Sequence, residues 1–494
     1  MNKASFRCVP GVCGLPRDFR AVTTATTATA MTVMAVITLL CAGCAVGPDY
    51  QRPAAVEVSA YKEADGWVPA LPADALERGP WWTLFGDPAL NQLVAQVAVS
   101  NQNVAQAVAA YEQARALVRE QRASIFPTVA LDGGASRAGT RASGSGAGGG
   151  RVGNNYQLGI GGSWEPDLWG RLGRVVDGAS ASAAASAADL ASATLSAQGE
   201  LAANYFSLRQ LDAQKALLAS TITGYQRALE ITQNRYTAGV AAKTDVLQAQ
   251  TQLASAQADA AGLQRQRAQL EHAMAVLVGR APGNFAVVPD PLWKALVPEV
   301  PAGLPSTLLQ RRPDIAAAER RVAVANGQIG IAQTAYYPKL SLSASYGLGA
   351  SRVADLFQAS SSVWSLGLSA AQTLFNAGAT GARVDGAQAA HAQAVARYRQ
   401  TVLTAFQGVE DQLAATVVLQ TQQQLRLQAS KAADQVEQQV LNRYRSGQVG
   451  FTEVITAQTT ALSARRAVVQ ATADRQTTAV ALIQSLGGGW QGLQ

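Results

Sequence analysis

The chain has 494 residues, 48% hydrophobic, 15% charged and only 6% aromatic, with a formal net charge of +7. Charge this sparse and interspersed excludes an electrostatic nucleic-acid binder, and the abundance of Ala, Gln and Ser favours long, closely packed helices over a large aromatic core. All four cysteines (Cys8, Cys13, Cys41, Cys44) lie near the N-terminus, so disulfides and Cys-based metal sites are excluded beyond it.

Residues 1–43 read as a lipoprotein signal peptide. Lys3, Arg7, Arg17 and Arg20 precede an apolar run from Met31 to Leu40 that is too short for a permanent membrane anchor. The run ends in Leu39-Leu40-Cys41-Ala42-Gly43-Cys44, which resembles a bacterial lipobox, with Cys41 standing where such motifs usually carry Leu. Cleavage and acylation at Cys44 are expected, since acyl chains add membrane affinity with every methylene. Removing the segment leaves 36 basic against 32 acidic residues, a net charge of +4.

An N-terminal extended segment, 44–87, closes on Trp81-Trp82-Thr83-Leu84-Phe85-Gly86-Asp87. Asp87 is placed to cap, and Pro88 to open, a helix predicted over 88–124 and ended by Pro127. Val129, Leu131, Gly133 and Ala135 then alternate with polar or small residues, as do Tyr156, Leu158, Ile160, Gly162 and Trp164. Period two on both sides of a loop predicts a hairpin, with the glycine-rich stretch 137–155 as an exposed mobile loop. A proline-free segment from 172 to 237 follows, and at ~1.5 Å per residue it would run on the order of 100 Å. Within it Leu201, Tyr205, Leu208, Leu218, Ile222, Tyr225, Leu229, Thr232 and Tyr236 step by threes and fours, the seam of a coiled coil. The turn Asn234-Arg235-Tyr236-Thr237-Ala238-Gly239 reverses the chain, with Gly239 as the left-handed cap, and a helix of about 38 residues returns. These elements, 88–280, form a first structural repeat. A proline-rich linker, 281–304, should lie on the outside.

The second structural repeat, 305–494, runs through the same elements. Leu340, Leu342, Ala344, Tyr346 and Leu348 alternate with Ser and Gly, as do Trp364, Leu366, Leu368 and Ala370. A second proline-free helix is predicted over 378–446, with Val402, Phe406, Val409 and Leu413 as its seam. Its turn is Asn442-Arg443-Tyr444-Arg445-Ser446-Gly447. Asn234–Thr251 recurs as Asn442–Thr459, 208 positions on, with nine identities. The chain is therefore an internal tandem duplication with pseudo-symmetry.

Four strands with one apolar and one Ser/Gly face have the length of transmembrane strands, yet a membrane sheet cannot leave edges unpaired and barrels need about eight strands or more. One chain cannot close a barrel. Two copies would supply eight strands and three would supply twelve, and the helices would continue the wall.

Cys44-Ala45-Val46-Gly47-Pro48-Asp49-Tyr50-Gln51-Arg52-Pro53, Trp81-Trp82 with Phe85 and Asp87, Trp164-Glu165-Pro166-Asp167-Leu168-Trp169-Gly170-Arg171 and both Asn-Arg-Tyr-x-x-Gly turns resemble the motifs of TolC/OprM-like outer-membrane factors, in particular NodT-type outer-membrane efflux lipoproteins of RND tripartite systems. The resemblance covers essentially the whole mature chain. It implies a mixed α and β membrane protein: a homotrimer with a 12-stranded transmembrane β-barrel continued by a long α-helical coiled-coil periplasmic barrel. It further implies an outer-membrane location, contact with outer-membrane lipid, a periplasmic adaptor (membrane fusion) protein and an inner-membrane RND-type pump as partners, and a passive conduit for drugs or other small molecules with no enzyme activity and no cofactor.

The resemblance also implies that the two turns form a periplasmic tip where the tunnel is held shut. Thr244 and Asp245 match the gate pair of the first repeat, Tyr444 matches the tyrosine that reaches the acidic residue, and Glu453 falls where a gate Asp is frequent. Thr456 and Val449 stand where charged residues are common, which weakens the latch. The bland reading is that Asp245 and Glu453 merely favour the starts of the returning helices. Trp164, Trp169, Trp364 and Phe375 flank strands, as interfacial aromatic anchors do. His272 and His391 are the only histidines and lie in separate helices, so a His-based catalytic or metal site is not expected. A structural envelope lipoprotein or trimeric coiled-coil adhesin is the alternative function.

Overall fold

The computed structural model describes residues 46–54, 61–62, 80–140, 151–291, 293, 295–298, 300 and 312–488. The signal peptide and Cys44 lie outside the described residues. The chain divides into two compact units, one of 121–176 and 327–385 with residues 46–49, the other of 50–120, 177–326 and 386–494. Each unit draws on both sequence repeats.

The first unit holds a four-stranded antiparallel sheet: β1 (Thr128–Thr140), β2 (Arg151–Trp164), β3 (Lys339–Ala350) and β4 (Ser362–Ala371), in the order β1-β2-β3-β4. The register puts Leu131 opposite Ile160, Ile160 opposite Tyr346, and Tyr346 opposite Trp364. Every apolar position read from the alternation falls on that one face, because side chains repeat with period two. The glycine-rich stretch is shorter than expected. Its ends, 137–140 and 151–155, are paired strand, because the β1–β2 ladder of backbone hydrogen bonds continues through them regardless of side chain; 141–150 lie outside the described residues.

The second unit is helical. Its elements are α1 (Pro88–Ser100), α2 (Gln102–Ala123), α3 (Arg171–Thr237), α4 (Lys243–Leu277), α5 (Pro313–Gln333), α6 (Ala379–Arg445) and α7 (Phe451–Ser485), with the ends of several belonging to the first unit. Asp87 caps α1 as expected, accepting from the amides of Ala89 and Leu90 at 2.9 and 3.1 Å. The helix expected over 88–124 is broken at Asn101, however. Its buried side chain accepts from the amides of Asn103 and Val104 and donates to the Leu277 carbonyl at 2.8 Å, so it restarts the helix as an N-cap. Both proline-free segments are single 67-residue helices, and both returning helices have 35 residues, slightly fewer than expected.

The core clusters around Leu201, Tyr205, Phe206 and Leu208 of α3, Tyr398, Val402, Val409 and Leu413 of α6, and Val480 and Leu482 of α7. Leu201, Tyr205, Leu208, Val402, Val409 and Leu413 are heptad positions of the sequence pattern, while Phe206, Tyr398, Val480 and Leu482 lie outside it; buried alanines between them let the backbones approach. The seam ends before the turn: Tyr236, its last member by spacing, is exposed.

Candidate functional site

Two parts of the molecule hold the residues singled out by sequence: the sheet and the pair of helix turns. On the sheet, Trp364, Leu366 and Leu368 are each more than 70% exposed, alongside Val129 and Leu131. The other face carries Gly134, Gly159, Gly161, Ser343, Gly347, Ser345 and Ser365, the last two joined by a 2.8 Å hydroxyl contact. Among the described residues β1 and β4 each pair on one side only.

The four aromatic residues expected to anchor at an interface part company. Trp164 donates from Nε1 to the Ile125 carbonyl at 2.8 Å, and Trp169 donates to the Pro338 carbonyl at 2.7 Å while stacking on Tyr337 at 4.9 Å. These two tie strand ends together. Trp364 lies inside β4 rather than beside it, and Phe375 is 88% exposed.

The turns share one backbone. Gly239 has φ 73° and Gly447 φ 75°; the amide of Val240 donates to the Arg235 carbonyl at 2.8 Å, and that of Gln448 to the Arg443 carbonyl at 2.9 Å. This is the six-to-one closure that a left-handed glycine permits. Asn234 and Asn442 close the same ring at their carbonyls, each accepting at 3.1 Å from the residue four later, Ala238 and Ser446.

The side chains differ. Tyr444 is 6% exposed and packs with Ala249, Phe451 and Val454, its ring 5.5 Å from that of Phe451. The Arg235 guanidinium lies 4.7 Å from the centre of the Tyr444 ring and donates to the Tyr444 carbonyl at 2.9 Å, combining a cation–π contact with a charge-assisted bond. The Tyr444 hydroxyl is buried with no hydrogen-bond partner and reaches neither expected carboxylate, because the surrounding cluster is apolar. Asp245 and Glu453 are the third residues of α4 and α7, where the helix dipole favours negative charge, yet neither makes a side-chain hydrogen bond or ion pair among the described residues. Thr244 is exposed beside Asp245.

Three polar clusters were not read from the sequence. Arg209 and Arg267 both reach buried Asp212, at 3.2 and 2.7 Å, and donate to the Val288 and Val287 carbonyls; Arg267 also meets Glu271. Arg465 joins α7 to Asp434 and Glu437 of α6 at 2.7 and 2.6 Å. Burial alone would lower its pKa, but the two carboxylates outweigh that and hold it above the ordinary value. Tyr205 donates to Asp87 at 2.6 Å, and burial first, then that bond, raises its pKa. Only the spacing of opposite charges on one helix, as in Arg209 and Asp212, offered a signal. Among the described residues there is no cluster suited to a metal ion and no helix long and apolar enough to cross a membrane.

The model of the outer membrane efflux protein family matches residues 93–280 and 304–488, two segments that track the duplication. The toluene efflux pump outer membrane protein TtgC of Pseudomonas putida is 32% identical over 91% of this chain and 93% of its own length. The pyoverdine export outer membrane protein OpmQ of Pseudomonas aeruginosa is 31% identical over 85% of this chain and 89% of its own. Among solved structures, the outer-membrane channel OprN superposes with a TM-score of 0.80 at 32% identity, covering 91% of this chain and all of that one.

Proposed function

This chain belongs to the outer membrane efflux protein family, and from that premise we propose that it is the outer-membrane channel of a tripartite efflux system, closed from three copies of its four-stranded sheet. It is located in the outer membrane and carries out efflux; the family assignment sets aside the structural lipoprotein or adhesin alternative. The observation that carries the reading is the sheet: one face of Leu, Tyr and Trp, the other rich in Gly and Ser, with β1 and β4 each paired on one side only among the described residues. Such a sheet is stable in lipid only when its edges pair. Eight strands enclose a bore that side chains can fill, whereas twelve lined with Gly and Ser leave a wet passage.

In this reading Trp364 and Phe375 meet lipid headgroups, Cys44 carries the acyl anchor, and a periplasmic adaptor and an inner-membrane RND-type pump complete the path. The channel performs no chemistry. It passes small molecules, and the pump and adaptor select among them. The gate is the pair of turns, with Thr244, Asp245 and Glu453 lining the constriction and Tyr444 bracing the two turns through its ring. Single-channel recording in planar bilayers tests both parts. Discrete ion currents from a detergent-stable multimer are expected, and Asp245→Ala should raise the conductance. A monomer without currents overturns the channel; an unchanged conductance overturns the gate alone.

A further inference from the structure

The apolar face of the sheet has a defined height, and one of its two ends carries charge. Along β3 the face runs from Leu340 to Ala350, about 34 Å at ~3.4 Å per residue, and a strand tilt of about 40° brings that to roughly 26 Å, the height of the apolar band of outer-membrane barrels. The register continues one row past it. Arg137 of β1 lies opposite Asn154 of β2, on the face of Leu131 and Ile160 because alternate residues share a face. Tyr156 lies opposite Ala350, so the next position of that ladder brings Asn154 toward Arg352, whose backbone is still extended at φ −132° and ψ 143°. The two arginines are thus one strand apart, about 10 Å across the sheet, with an amide between them. All three residues are exposed, and none of their side chains makes a hydrogen bond or ion pair among the described residues. The rest of this face holds no charged residue. Its opposite end finishes on Trp164, Leu340 and Ala370, and the next base in sequence, Lys339, is paired with Glu165 at 3.0 Å.

We infer that the row Arg137, Asn154 and Arg352 is a binding site for the phosphorylated headgroup of a lipid in the outer leaflet. The loops at this end lie opposite α2 and α3, which meet the sheet at Ala123 and Arg171, so in the channel reading this rim faces the exterior. A solvated rim by itself calls for no particular sign of charge. Here both charges are positive, and both stand just beyond the apolar band on its lipid-facing side, at the level of headgroup phosphates. Each guanidinium presents a planar fork of donors that fits phosphate oxygens, and the Asn154 amide adds a donor between the forks. A phosphate monoester carries about −1.5 to −2 charge at pH 7, more than the diester of an ordinary phospholipid, so the site should prefer the monoester.

The inference rests on the membrane barrel proposed above, and the experiment separates the two. The full chain, extracted in mild detergent, is weighed by native mass spectrometry with diphosphoryl lipid A, the same lipid stripped of its phosphates, phosphatidylglycerol or inorganic phosphate added in turn. Wild type should retain diphosphoryl lipid A about tenfold better than either other lipid, the scale of one charge-assisted hydrogen bond. Arg137→Gln with Arg352→Gln should abolish that preference, whereas Arg383→Gln with Arg399→Gln, at two exposed positions of α6, should leave it intact. Equal retention of all three lipids, loss in both double variants, or undiminished preference in Arg137→Gln with Arg352→Gln overturns the site. Displacement of the lipid by an equal concentration of inorganic phosphate makes this a free-anion site and overturns the lipid assignment. Where the preference is missing but single-channel currents persist, the channel stands and the site alone falls; where both are missing, both fall.

Discussion

The two helix turns have the same six-residue signature, matched glycine torsions and matched hydrogen bonds, yet one tyrosine is buried and the other exposed. Local sequence dictates the turn; what lies beside it dictates the burial. The same divergence runs up the helices. Asp212 of the first repeat, at the centre of the buried charge network, corresponds to Gln420, which is exposed, and Glu271 corresponds to Ala479. Arg267 survives the exchange as Arg475, which bonds Gln423 instead. Duplication copied the backbone plan, and the two copies then adapted to unlike neighbours.

The sharpest way to break the equivalence is at the charge network. Asp212→Ala leaves Arg209 and Arg267 buried without their shared carboxylate, and losing one partner of a buried ion pair costs about 3–5 kcal/mol. Gln420→Ala at the matching position should stay within about 0.5 kcal/mol, as exposed sites do. Heat inactivation of the detergent-solubilised protein, followed by protease sensitivity, compares the two. Equal losses would show that Asp212 does not hold the two arginines that bond the Val287 and Val288 carbonyls.

The next contrast is between the tyrosines. Truncating a buried aromatic side chain costs about 3 kcal/mol or more, so Tyr444→Ala should expose the amides of 448–454 to hydrogen exchange. Tyr236→Ala should leave those same amides protected, because Tyr236 takes no part in the cluster around Tyr444, Phe451 and Val454.

How much of this was legible beforehand follows from the range of each interaction. Alternation gave the strand faces, since Leu131, Ile160, Tyr346 and Trp364 obey a period set by the backbone alone. Heptad spacing gave the seam of both long helices for the same reason. The break at Asn101 was missed because an asparagine within an apolar-periodic run reads as a tolerated helix residue, and its partner, the Leu277 carbonyl, is 176 residues away. Tyr444 was expected to reach a carboxylate; its burial depends on Arg235, Phe451 and Ala249 converging from different helices, which no local pattern encodes. The network around Asp212 escaped for that reason too, because Arg267 is 55 residues from its partner.

The smallest expected effect tests whether the backbones are truly alike. Gly239 and Gly447 both hold left-handed torsions, and a Cβ added at either would meet nothing within 4 Å. With no clash to relieve, the only penalty for alanine is the left-handed conformation, about 1–2 kcal/mol. Gly239→Ala and Gly447→Ala should therefore loosen their own turns equally, measured as hydrogen exchange of the amides of Val240 and Gln448. Any excess at Gly447 would mean that strain there is passed into the Tyr444 cluster, in which case burial and turn geometry are coupled and the two turns are not interchangeable units.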